Sequence, residues 1–128
     1  MTCSVSEAMA VAADFGRLPE WAAGFASGVQ RDERDDTGRS WLVDAPFGRV
    51  QAVFEVDVER GILDHDVTMP DGSVVHNRLR IETAVEGCAA VFTLVRRPGM
   101  SDADIVADVT AVTDDLRRLR ALCERMDA

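Results

Sequence analysis

The chain contains no lysine and no tyrosine, and all 14 of its basic residues are arginines. Neither Schiff-base chemistry on a lysine amine nor proton transfer from a phenol is open to it. Histidine is almost as scarce, so only His65 and His76 titrate near neutrality without help. The three cysteines, Cys3, Cys88 and Cys123, are odd in number and far apart in sequence. They form no zinc-binding spacing and no disulfide framework, which sets a reducing cytoplasm as the expected location and no metal as the expected cofactor state. Positive charge is in deficit too: 23 acidic residues leave a net charge of −9. A phosphate-binding surface needs a basic face, so nucleic acid is excluded as a partner. No apolar run approaches the roughly 18 residues of a membrane span, and the N-terminus lacks a charged-then-apolar export signal.

What the chain does have is pattern. At 128 residues, 47% hydrophobic and 29% charged, it fits a single globular domain over residues 1–128 with enough length to bury a core. Its most regular stretch is residues 101–126, where Ile105, Val109, Val112, Leu116, Leu119, Cys123 and Met126 recur at spacings of four and three. That rhythm places one apolar stripe along a helix of roughly seven turns. Ser101 caps it, Asp104 stands at the reciprocal position, and acidic residues at its start and arginines at its end complement the helix dipole. The spacing also suits a coiled-coil seam, so the chain is expected to be a monomer or a homodimer.

Upstream, residues 2–5 are long enough for only a short first strand. Ser6 is placed to cap a helix over residues 7–13, and Asp14, Phe15 and Gly16 break it. A second short helix is expected over residues 18–25, with Trp21 and Phe25 sharing its buried face. The period then changes to two. A polar edge strand is expected over residues 29–35, followed by one holding Trp41 and Val43. The clearest strand puts Val50, Ala52, Phe54, Val56 and Val58 on one face. A two-residue turn at Arg60-Gly61 leads to a strand with Leu63, His65, Val67 and Met69 inside and Asp64, Asp66 and Thr68 outside. A three-residue loop at Asp71-Gly72-Ser73 keeps Val75, Asn77, Leu79 and Ile81 inside and sets Asp66 opposite Arg78 and Asp64 opposite Arg80. A turn at Glu86-Gly87 opens a last strand with Ala90, Phe92 and Leu94 inside. The expected class is α+β: an antiparallel sheet of six to seven strands, two short helices, and a long C-terminal helix laid on the sheet.

This order resembles the START-like superfamily, also called SRPBCC, which includes polyketide cyclases and dehydrases. The matching residues are Leu18-Pro19-Glu20-Trp21, Gly61-Ile62-Leu63-Asp64-His65, Phe92-Thr93-Leu94 followed by Arg97-Pro98-Gly99-Met100-Ser101, and Asp115-Leu116-Arg117-Arg118-Leu119. Together they span nearly the whole chain. The resemblance implies a helix-grip fold, in which a curved sheet wraps the long helix around an apolar cavity that binds lipids, hormones or polyketides. It implies no shared catalytic residue, and the short first strand departs from the family pattern.

Within that frame the polar exceptions on the apolar face become candidates. His65, Asn77 and Arg96 are the groups that would orient a ligand, with His65 between Val56 and Leu79 and able to act as a general acid–base. The competing reading makes His65 a hydrogen-bonded core residue and sends Arg96 to solvent. One histidine without an identified partner is a thin constellation, which favours that structural reading. Trp21, Phe25, Trp41 and Phe54 are candidates for the cavity wall or for plain core volume, and Val109, Val112 and Leu116 would line it from the helix. His76 is expected on the solvated face, and Asp64, Asp66, Arg78 and Arg80 as exposed ion pairs. The expected function is binding of a small hydrophobic molecule. The alternatives are a polyketide cyclase or dehydratase using His65, and a groove for a partner's peptide.

Overall fold

A computed structural model describes residues 1–126, the side chain of Met126 excepted. Two short helices come first. Helix α1 spans Val5–Ala12 and α2 spans Leu18–Trp21, joined through a single 3-10 turn at Phe15–Arg17. Six strands follow: β1 (Gly28–Arg31), β2 (Ser40–Ala45), β3 (Gly48–Asp57), β4 (Ile62–Thr68), β5 (Val74–Ala84) and β6 (Gly87–Thr93). They form one antiparallel meander in the order β1-β2-β3-β4-β5-β6. Helix α3 (Asp102–Met126) closes the chain. Its first turn is held by the reciprocal pair expected, with the Ser101 N–H donating to Asp104 (2.9 Å) and the Asp104 N–H to the Ser101 hydroxyl (3.1 Å).

The N-terminal elements differ from expectation. Residues 2–5 make no strand; Met1 alone exchanges two backbone hydrogen bonds with Cys88 of β6, at 2.7 and 3.0 Å. Ser4, not Ser6, caps α1, because Glu7 lies three residues on and completes the capping box. Helix α2 stops at Trp21, so Phe25 lies beyond it in the connection to β1. Strand β1 ends at Arg31, since the Asp32 carboxylate turns inward to accept from the Ser40 hydroxyl (2.9 Å) and the Gln51 amide (3.3 Å).

The strands alternate as expected, but the expected inner face of β3 is covered only at Val50, Ala52 and Phe54, with Val56 and Val58 38% and 49% exposed, and the pairings differ. Asp57 pairs with Ile62, so the β3–β4 connection is residues 58–61 and His65 stands beside Phe54 instead of Val56. Gly61 is obligatory there: its φ is +66°, and a Cβ would lie 2.0 Å from the Ile81 carbonyl oxygen. The β4–β5 loop is three residues long, as expected, but it is residues 70–72, closed by the Met69 N–H on the Ser73 carbonyl at 2.7 Å. His65 therefore faces Asn77, and Asp66 faces His76, to which it is hydrogen-bonded. His76 is thus paired and not merely solvated. The β5–β6 turn is residues 85–86, since Ala84 pairs with Gly87. Asp64 is not exposed: at 5% exposure its carboxylate enters the ladder, taking the Leu79 N–H (3.2 Å) and Arg80 (2.6 Å).

The core runs across the sheet, from Val43 of β2 and Val50, Ala52 and Phe54 of β3, which pack with Phe15, to the cluster at α1 and the C-terminal half of α3. Ala8, Met9, Val11 and Ala12 of α1 pack with Leu119, Leu122 and Cys123 of α3 and with Leu79, Ile81 and Cys88 of the sheet. Cys3 joins Cys88 and Cys123 there, so the three thiols are gathered rather than scattered, and all are free and buried. Burial, reinforced by Cys3, pushes Cys88 up to about 11 and Cys123 up to about 12, leaving neither as a nucleophile. The first half of α3 does not share this packing. Val109, expected on the buried stripe, is 48% exposed and Val106 is 64% exposed.

Candidate functional site

Where α3 stands away from the sheet, a cavity of about 750 Å³ remains. The sheet supplies Phe54, Leu63, His65, Val67, Asn77, Leu79 and Phe92; the α2 region supplies Leu18, Trp21, Ala22, Gly24 and Phe25; α3 supplies Ala107, Asp108, Ala111, Val112, Asp115 and Leu116. Phe47, Val74 and Val95 also line it while remaining 49%, 61% and 60% exposed, so the mouth opens among the β2–β3 turn, the start of β5 and the segment after β6. These residues collect at one place because strand alternation sends every second side chain to the same face. The meander then stacks those faces from β3 to β6.

His65 is the polar centre of the wall. Its ring lies 5.2 Å from that of Phe54 and 6.3 Å from those of Phe25 and Phe92. Phe54 is itself stacked on Phe15 at 3.9 Å. Burial pushes the His65 pKa down to about 4; the Leu63 carbonyl and the charges of Asp64 and Asp66 oppose that shift without cancelling it. The ring is neutral at pH 7. Its Nδ1 is sealed without a hydrogen-bond partner, as is Nε1 of Trp21. Asn77 stands directly opposite on β5, and Arg97 and Asp108 add one charge of each sign to the lining.

The α2 side is fastened by two residues that the sequence had not singled out as site residues. The half-buried Arg118 donates to the Trp21 carbonyl at 3.1 Å and to Asp115, whose Oδ1 also accepts the Gly24 N–H at 3.0 Å. This clamp fixes the segment that presents Trp21 and Phe25. Asp115 lies three residues after Val112 on the edge of the helical stripe, and that position was the available signal.

Of the expected site residues, Trp21, Phe25, Phe54, His65, Asn77, Val112 and Leu116 come together in this lining. Three do not. Trp41 packs edge-on against Phe15 at 6.0 Å and donates its indole N–H to the Gly38 carbonyl, which spends it on the β2 end of the core. Val109 faces outward. Arg96 is exposed and bound to Asp102 (2.8 Å) and the Met100 carbonyl (2.9 Å); its neighbour Arg97 reaches the cavity instead. The chain matches no protein-family model and no curated protein. Among the described residues no group of three His, Cys, Asp or Glu side chains is placed to hold a metal ion, and no helix is long and apolar enough to cross a membrane. Such a cavity can envelop a small molecule and orient it through a few hydrogen bonds.

Proposed function

We propose that the protein binds a small, largely apolar molecule between its sheet and C-terminal helix, and that its architecture is the helix-grip arrangement of the START-like superfamily. The observation that carries this reading is the cavity itself: about 750 Å³ left open beside a well-packed core in a chain of 128 residues. That volume falls within the range of sites for drug-sized ligands, roughly 300–1,000 Å³. The element order supports the fold assignment, with two short helices, a six-stranded meander and a long last helix. A reducing, cytoplasmic setting belongs to the same reading, since all three cysteines are free. Titration with a fluorescent fatty acid and with an aromatic probe is expected to saturate near one per chain. Failure of a broad lipid and polyphenol panel on folded protein would overturn the proposal.

A cyclase or dehydratase is the second reading, favoured by His65 and Asn77 standing side by side in the cavity. It ranks below binding because an imidazole held near pKa 4 is a weak base at neutral pH. His65→Ala should abolish turnover of a polyketide-like substrate; unchanged turnover removes this reading.

A further inference from the structure

The two edges of the sheet are built differently. Strand β1, at one edge, is four residues long, carries Arg31, and runs into the charged stretch Asp32-Glu33-Arg34-Asp35-Asp36. A short, charged edge resists pairing with a strand of another molecule. Strand β6, at the other edge, is seven residues long, and no residue from Gly87 to Val95 is charged. Met1 exchanges two backbone hydrogen bonds with Cys88, so the Cys88 N–H and carbonyl point away from β5. Bonding alternates along an antiparallel ladder, so Ala90 and Phe92 point theirs the same way. Ile81, the partner of Ala90 on β5, agrees: its N–H is turned to the Gly61 carbonyl, on the side of β4. Among the described residues, nothing bonds to these outward backbone groups of Ala90 and Phe92.

A second copy of the chain fits this edge. The free stretch of the strand runs from Ala89 to Thr93, with Val91 at its midpoint. A two-fold axis there pairs the strand with itself in the antiparallel sense. Ala90 then exchanges backbone bonds with the partner's Phe92, and Phe92 with the partner's Ala90. Val91, 41% exposed on the outer face, meets the partner's Val91 as a closely spaced pair without charge. Charge on the neighbouring strand favours the same register. Strand β5 places Arg78 beside Thr93 and Glu82 beside Ala89. Both are exposed and without an ion pair among the described residues. The two-fold sets Thr93 against the partner's Ala89, so Arg78 shares a row with the partner's Glu82 across two small side chains. Arg80, in the Val91 row, is already neutralised by Asp64 at 2.6 Å. We propose that β6 is a self-pairing edge, which joins two copies of the chain through one continuous antiparallel sheet. A ladder this short makes a weak, reversible dimer with a Kd in the micromolar range.

Sedimentation velocity on the intact chain is expected to show monomer passing to dimer as the concentration rises from low micromolar to submillimolar. Ala90→Pro removes an outward N–H that β5 does not use, and should abolish the dimer while leaving the fold intact. Val91→Arg sets like charges at the axis and should do the same. Arg78→Glu or Glu82→Arg alone should weaken the dimer several-fold, and the two together should restore it. Both sites are exposed, so this exchange decides the matter if the proline variant does not fold. A chain that stays monomeric at every concentration overturns the inference and leaves the edge to a strand of another protein. A dimer that survives all of these variants, as one through the apolar stripe of α3 would, also overturns it.

Discussion

At the scale of single residues, the fold holds His65 neutral, and this makes it acid-sensitive. An unfolded chain protonates this imidazole near 6.5, whereas the folded one does so only near 4. Between those values the unfolded state binds more protons, so stability falls as the pH drops, by up to about 1.4 kcal/mol per pH unit. Above 6.5 both states are neutral and the contribution vanishes. The carboxylates act in a lower window. Asp32, held down by Arg34 and the Ser40 hydroxyl, and Asp35, held down chiefly by the Ser40 backbone N–H, stabilise the fold above the ordinary aspartate value of 3.8 and lose that effect as they protonate below it. His65→Leu is therefore expected to flatten the urea midpoint between pH 6.5 and 4 while leaving the steeper loss below pH 4. A variant with an unchanged slope across the upper window would show that the imidazole is not shielded from water.

At the scale of elements, α3 is two helices in one. From Asp115 onward it is anchored by Leu119, Leu122 and Cys123 in the core and by the Arg118–Asp115 clamp on α2. Before that it borders a cavity on one side and water on the other. Amide exchange should be faster over residues 105–111 than over residues 116–123, and a bound probe should slow the first group selectively. Uniform protection along the helix would contradict this division. The same element shows what a sequence can and cannot specify. Its length, cap and stripe were legible, because spacings of three and four survive any choice of partner. How far the stripe is covered was not, because Val109 repeats the spacing of Leu116 yet is left 48% exposed. The strands teach the same lesson. Alternation fixed the inward faces of β3 to β6, but sliding a strand by two residues preserves every face, so the pattern is blind to that slip. The true register depended on the connections at residues 58–61 and 70–72, and it placed Phe54, not Val56, beside His65. Charge pairing misled for a related reason. Asp64 does reach Arg80, but diagonally and from a buried position inside the ladder. Ser4 and Glu7 carried a legible capping box that the choice of Ser6 overlooked.

At the scale of the whole molecule, a core that crosses the sheet adjoins an open cavity beneath the first half of α3. Ligand occupancy should therefore strengthen the open side without rearranging the core. A probe at about one hundred times its Kd contributes about 2.7 kcal/mol to stability, which thermal unfolding would register as a rise of several degrees. A probe that fluoresces on mixing but leaves the melting temperature unchanged would be bound elsewhere or equally well by the unfolded chain. The open side also bears on a common laboratory diagnosis. Anilinonaphthalene sulfonate brightens in apolar surroundings and is widely taken as a marker of molten globules. Here a native hollow rimmed by Phe47, Val74 and Val95 gives the dye a place to lodge. A bright signal from this protein at neutral pH is then expected of the intact fold, and near-ultraviolet dichroism from Trp21 and Trp41 is the measure that distinguishes order from collapse.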